Sequence, residues 1–113
     1  MKWTLFHNPK CSKSRQALTQ LNEQGIEPVI RLYLKDPLSK IELIELLGLL
    51  NLRPSEVLRS KEKIIQTQEI DLSSESKIQS ALVAHPILIE RPIISNGKKA
   101  VIGRPTENIG KLL

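Results

Sequence analysis

Lys2-Trp3-Thr4-Leu5-Phe6-His7-Asn8-Pro9-Lys10-Cys11-Ser12-Lys13-Ser14-Arg15 is the stretch on which the fold turns. Residues 2–6 read as a short buried strand, and Asn8 and Pro9 break it. From Ser14 onward, Ala17, Leu18 and Leu21 recur at helical spacing. Cys11 therefore sits where a strand turns into a helix. A thiol there faces unpaired backbone N–H groups and the positive end of the helix dipole. Both favour the thiolate, the nucleophilic form. Lys10, Lys13 and Arg15 add positive charge nearby. A lone cysteine is more often a small buried core residue. The basic, polar neighbours of Cys11 argue for reactivity instead.

Outward from this segment, the first helix runs on to Gln24, with Gly25 placed to end it. Pro28 to Tyr33 reads as a second strand. Strand, helix and strand make a βαβ unit with a right-handed crossover and parallel strands. Asp36 to Ser39 marks a turn, and Ser39 with Glu42 matches a capping box. Ile41, Ile44, Leu47 and Leu50 then follow helical periods, with Gly48 weakening the helix end. Arg53 to Arg59 reads as a short helix with Pro54 in its first turn, and residues 60–72 carry no clear period. Ser74 to Ala84 predicts a helix with Ile78, Ala81 and Leu82 inward, stopped by His85-Pro86. Asn96-Gly97-Lys98 between Ile93-Ile94-Ser95 and Lys99 to Ile102 is a hairpin signal. Pro105 to Glu107 opens a last short helix ending near Lys111. This order predicts an α/β fold: a mixed sheet from the N-terminal βαβ unit and a C-terminal β-hairpin and helix. Residues 1–113 are expected to form one domain, with a helical insertion at about 38–84.

The totals narrow the function. A chain of 113 residues suits one core. No apolar run reaches the length of a membrane span, and the start is too short and polar for a secretory signal. A single cysteine excludes an internal disulfide and points to a reducing, cytoplasmic setting. The net charge of +5 admits an acidic partner or a small anion. Aromatic content of 3% offers no stacking platform for single-stranded nucleic acid, so nucleic acid is not expected as a partner. Metal-ligand spacing is absent. A monomer is expected.

Three later arginines sharpen the cysteine signal. Arg59 ends the short helix, Arg91 lies in Ile89-Glu90-Arg91-Pro92-Ile93, and Arg104 lies in Ile102-Gly103-Arg104-Pro105. Arginine presents a planar fork of donors suited to tetrahedral oxyanions. Proline fixes the backbone beside Arg91 and Arg104. For any one of them, a surface ion pair is the ordinary alternative.

Taken together, His7-Asn8-Pro9-x-Cys11-x-x-Ser14-Arg15, Val57-Leu58-Arg59, His85-Pro86-x-Leu88-Ile89-x-Arg91-Pro92-Ile93 and Gly103-Arg104-Pro105 resemble, in order, the signatures of the glutaredoxin-coupled arsenate reductase family. The Cys11-Ser12-Lys13-Ser14-Arg15 version resembles a subgroup of its homologues whose loop differs from that of the well-studied reductases. The resemblance implies a thioredoxin-like fold with a helical insertion. It implies Cys11 as nucleophile, His7 tuning it, and Arg59, Arg91 and Arg104 as the oxyanion site. Asn8, Ser14, Arg15 and Pro92 have supporting places, Pro92 as a cis proline. It further implies no bound cofactor. Glutathione is the implied co-substrate and glutaredoxin the partner that clears the mixed disulfide.

The residues alone reach a consistent chemistry. A thiolate is a soft nucleophile toward As(V), and arginines offset charge as the oxyanion is attacked. A lone cysteine cannot resolve its own adduct, so an external thiol is required. Two alternatives stay open. One is a regulator of the Spx type that binds RNA polymerase, although Ser14 replaces the second cysteine of that type's redox pair. The other is a glutathione-dependent thiol transferase.

Overall fold

The structure, a computed structural model, describes residues 2–113. The chain divides into two compact units: the segment up to Asp36 together with Arg91–Leu113, and Pro37–Glu90.

The first unit is built on a sheet. Strand β1 (Thr4–Phe6) leads into helix α1 (Ser12–Glu23), which returns to strand β2 (Val29–Arg31). β1 and β2 pair in parallel with Leu5 opposite Ile30, as a βαβ unit requires. Helix α1 ends in a tight αL turn. Gly25 takes φ +77°, and the Ile26 N–H reaches back to the Leu21 carbonyl at 2.9 Å. Strands β3 (Ile93–Ser95) and β4 (Ala100–Ile102) form the hairpin. Gly97 sits at φ +91°, and Asn96 Oδ1 accepts the Lys98 and Lys99 N–H groups at 2.9 Å. Lys99 belongs to this turn rather than to the strand, because its N–H is taken by Asn96. Among the described residues, one sheet of order β2-β1-β3-β4 results, with β3 antiparallel to both neighbours. A 3-10 helix, Thr106–Leu112, follows.

The inward residue of β1, the buried strand β3 and the 3.6-residue period of α1 meet in one core. Leu5, Ala17, Leu21, Ile94, Ile109 and Leu112 are buried together, and Trp3, Leu18, Ile26 and Val101 pack around them. Each large aliphatic in such a core contributes roughly 1.5–3 kcal/mol. This core fixes α1 against the sheet and so fixes the position of its first turn, where Cys11 lies.

The second unit is helical. Helix α2 (Lys40–Leu50) starts on the expected capping box, with both Ser39–Glu42 hydrogen bonds formed. It ends on Asn51 at φ 56°. Its buried side is Leu43, Leu46, Leu47 and Leu50, while Ile41 is 69% and Ile44 47% exposed. The period that joins Ile41 and Ile44 to Leu47 and Leu50 is therefore only half correct. The helix is apolar nearly all round, so period alone does not choose its inner side. A 3-10 turn (Pro54–Val57), helix α3 (Ile64–Thr67) and helix α4 (Glu75–Ala84) follow. Helix α4 buries Ile78, Ala81 and Leu82, as its period predicts. None of the described helices is long and apolar enough to cross a membrane.

Candidate active site at the start of the first helix

Cys11 is the N-cap residue of α1, in extended conformation with φ −92° and ψ 122°, and its side chain makes no cap hydrogen bond. Asn8 and Pro9 shape the approach. The Cys11 N–H closes a turn on the Asn8 carbonyl at 2.9 Å, and Asn8 Oδ1 accepts the Lys10 N–H at 3.1 Å. Arg15, one turn into the helix, donates to the Pro9 carbonyl at 2.8 Å. Its expected place near the thiol becomes a clasp on the loop that carries the thiol.

Two arginines from the far end of the chain reach this loop. Arg104 Nη2 lies 3.4 Å from Cys11 Sγ, while Arg104 Nε donates to the Arg91 carbonyl at 2.6 Å. The Arg91–Pro92 peptide is cis, as the resemblance implied, and so is Arg104–Pro105, which the sequence reading did not anticipate. Arg91 Nε is buried with no hydrogen-bond acceptor among the described residues. Burial pushes the Cys11 thiol up. The Ser14 N–H, the Arg91 guanidinium and the Lys13 N–H outweigh it, holding the thiol below its ordinary value. Iodoacetamide alkylation is therefore expected to titrate with a midpoint below the free-thiol value of about 8.5. A midpoint at or above it would contradict this account. The sign carries over to stability. A thiol held low in the fold stabilises fully above its unfolded pKa and less as pH falls through its folded one.

His7 and Ser14 form the layer beneath. Ser14 is wholly buried, and its Oγ sits 2.6 Å from His7 Nδ1 and accepts the Asn8 N–H at 3.0 Å. Burial and then the Arg15 charge hold His7 below the usual imidazole value. The imidazole thus braces the loop through Ser14. Ser14→Ala removes a partner from both the Asn8 N–H and His7. It is expected to cost about 1–3 kcal/mol, read as a lower urea midpoint at unchanged m-value.

Arg59 belongs to the helical unit. It lies two residues past the 3-10 turn rather than at a helix end, and its N–H bonds the Leu88 carbonyl at 2.7 Å. Its guanidinium is held by Glu62 at 3.4 Å and Glu90 at 3.5 Å. Sequence reading did not find these two carboxylates: Glu62 lies in the stretch without a clear period, and Glu90 fills the unspecified position before Arg91 in its motif. Among the described residues, no group of three His, Cys, Asp or Glu side chains is placed to hold a metal ion.

A sheet of order β2-β1-β3-β4 with a cysteine capping its first helix defines a protein of the thioredoxin-like class. Residues 6–112 match the model of the ArsC family, and the chain belongs to that family. It is similar to the arsenate reductase of Haemophilus influenzae, 39% identical over the full length of both chains. It is also 43% identical to a protein of Escherichia coli called uncharacterized protein YfgD, over 93% of this chain and 91% of that one. The structure of the arsenate reductase from Vibrio cholerae superposes with a TM-score of 0.92 at 38% identity, covering 100% of this chain and 98% of that one.

Proposed function

We propose that this protein reduces arsenate to arsenite, with Cys11 as nucleophile, glutathione as co-substrate and glutaredoxin as the final reductant, in the cytoplasm. The observation that carries the reading is the convergence of Arg91 and Arg104 on a thiol held below its ordinary pKa. The Cys11 thiolate attacks arsenic, and one arsenate oxygen leaves as water, giving a thiol ester of As(V). Glutathione thiolate then attacks the Cys11 sulfur. The S–As bond breaks toward arsenic, which takes the electron pair and leaves as arsenite, and a Cys11–glutathione disulfide remains. A second thiol restores Cys11.

The site suits an oxyanion. The buried Arg91 Nε needs an acceptor, and Arg104 presents its fork beside the sulfur. Charge that builds on the arsenate oxygens in the first step meets these guanidinium groups in place, without reorganisation. Arg59 is proposed as a further anion ligand. Its pairing with Glu62 and Glu90 makes that role separately testable through Arg59→Ala.

The test is a coupled assay in which purified protein, glutathione and glutaredoxin are supplied with arsenate, and arsenite is quantified. Arsenite formation that requires all three supports the reading. Deglutathionylation of mixed disulfides without arsenite formation would make the protein a thiol transferase instead.

A further inference from the structure

The charge of this chain is not spread evenly. The sheet unit carries eleven Lys and Arg against four Asp and Glu, whereas Pro37–Glu90 carries six against eight. Within the sheet unit, residues 7–15 hold Lys10, Lys13 and Arg15 and no carboxylate, and the first turn of α1 contains no acidic residue. A helix start ordinarily favours Asp and Glu, and cations there are locally unfavourable. Lys10 and Lys13 are exposed, and their ammonium groups are not what lowers the Cys11 thiol; backbone N–H groups and Arg91 do that. A groove of about 590 Å³ begins at Ser12, the residue after Cys11. Ser12, Arg15, Gln16, Thr19 and Thr106 line it, and its one carboxylate, Glu23, lies at the far end of α1. Hydroxyl and amide groups along a groove match the backbone of an extended peptide.

From this placement we infer that the Lys10–Lys13 surface and the groove beside Cys11 dock an extended, acidic polypeptide segment that carries the resolving thiol. The inference rests on the reading that an external thiol clears the Cys11 adduct. In that step the partner's thiolate attacks the outer sulfur of the Cys11 mixed disulfide. A bond forms between those two sulfurs, the bond to Cys11 breaks, and Cys11 leaves with the electron pair as thiolate. The cations steer the partner, and the groove aligns its backbone, so the attacking sulfur arrives in line.

The test uses the full chain with Cys11 glutathionylated and three peptides of equal length. Each has one cysteine, flanked by Asp and Glu, by Gln, or by Lys. Return of the free Cys11 thiol is followed by intact mass after acid quenching, and rates are corrected for each peptide's measured thiolate fraction. At low salt the acidic peptide is expected to react at least about tenfold faster than the Gln peptide, and the Lys peptide slower still. The advantage should collapse at about 0.5 M salt. The double variant Lys10→Glu, Lys13→Glu should lose the acidic preference, and Gln16→Trp should slow all three peptides. Dithiothreitol attacks as a small thiolate with one charge and no flanking acids, so the double variant should slow it far less than it slows the acidic peptide, and Gln16→Trp should leave it unchanged. Equal rates for acidic and Gln peptides would overturn the inference, as would an acidic preference surviving in the double variant. Equal slowing of dithiothreitol would also overturn it, because the cations would then act on the disulfide itself. Arsenate takes no part in this assay, so a failure to turn over arsenate sinks the proposed function without touching this result.

Discussion

Cys11→Ser is expected to abolish arsenite formation, by at least about a thousandfold, while the protein folds as before. Effects of this size follow when a nucleophile is removed. No other thiol in the chain can replace it. The fold should tolerate the change for a local reason. Cys11 already has the extended N-cap conformation and makes no cap hydrogen bond, and serine is among the favoured N-cap residues. The melting temperature is therefore expected to match or slightly exceed that of the parent at a pH below the folded thiol pKa, where the thiol is protonated in both states. A folded variant that still makes arsenite would remove Cys11 from the chemistry. The same variant isolates the thiol's share of pH-dependent stability. The parent should gain on it as pH rises from the folded thiol pKa toward about 8.5, and the gap should be constant above that.

Arg104→Ala is expected to lower kcat/KM for arsenate by about a hundred- to a thousandfold, the scale for losing one preorganised charge-stabilising donor. Two contacts go at once: the guanidinium 3.4 Å from the sulfur, and the 2.6 Å bond that ties it to the Arg91 carbonyl. Arg104→Lys keeps the charge but loses the fork, so it should recover only part of the activity. Alkylation kinetics separate the two roles. If Arg104 acts mainly on the oxyanion, the iodoacetamide midpoint of Arg104→Ala stays near the parent value while kcat/KM collapses. Unchanged kcat/KM in a folded Arg104→Ala would exclude this arginine from the site.

Much of the fold can be read from short stretches, and the reasons are local. Ser39 and Glu42 are three residues apart, so a capping box needs no knowledge of the rest of the chain. Gly25 and the Asn96-Gly97 turn reveal themselves because left-handed backbone disfavours most side chains. Helix α2 shows the limit. Its sequence offers two apolar stripes, and packing buries the one with Leu43 and Leu46 while Ile41 and Ile44 face water. For the site, the resemblance selected the residues but not their contacts. Nothing in the sequence tells that Arg15 clasps Pro9, that Ser14 joins His7 to the Asn8 N–H, or that Arg59 is held by two glutamates.

By itself, then, the sequence determined which elements form, where the cysteine stands in them and which family the chain resembles. Hydrogen bonds and side-chain periods within a few residues decide such features. Only the tertiary structure decided what surrounds the sulfur. Arg104 is 93 positions from Cys11 in the chain, and the two meet because β3 and β4 pair beside β1 while α1 packs on the same core. Contacts between residues so distant in sequence depend on how whole elements pack, and no local pattern encodes that distance.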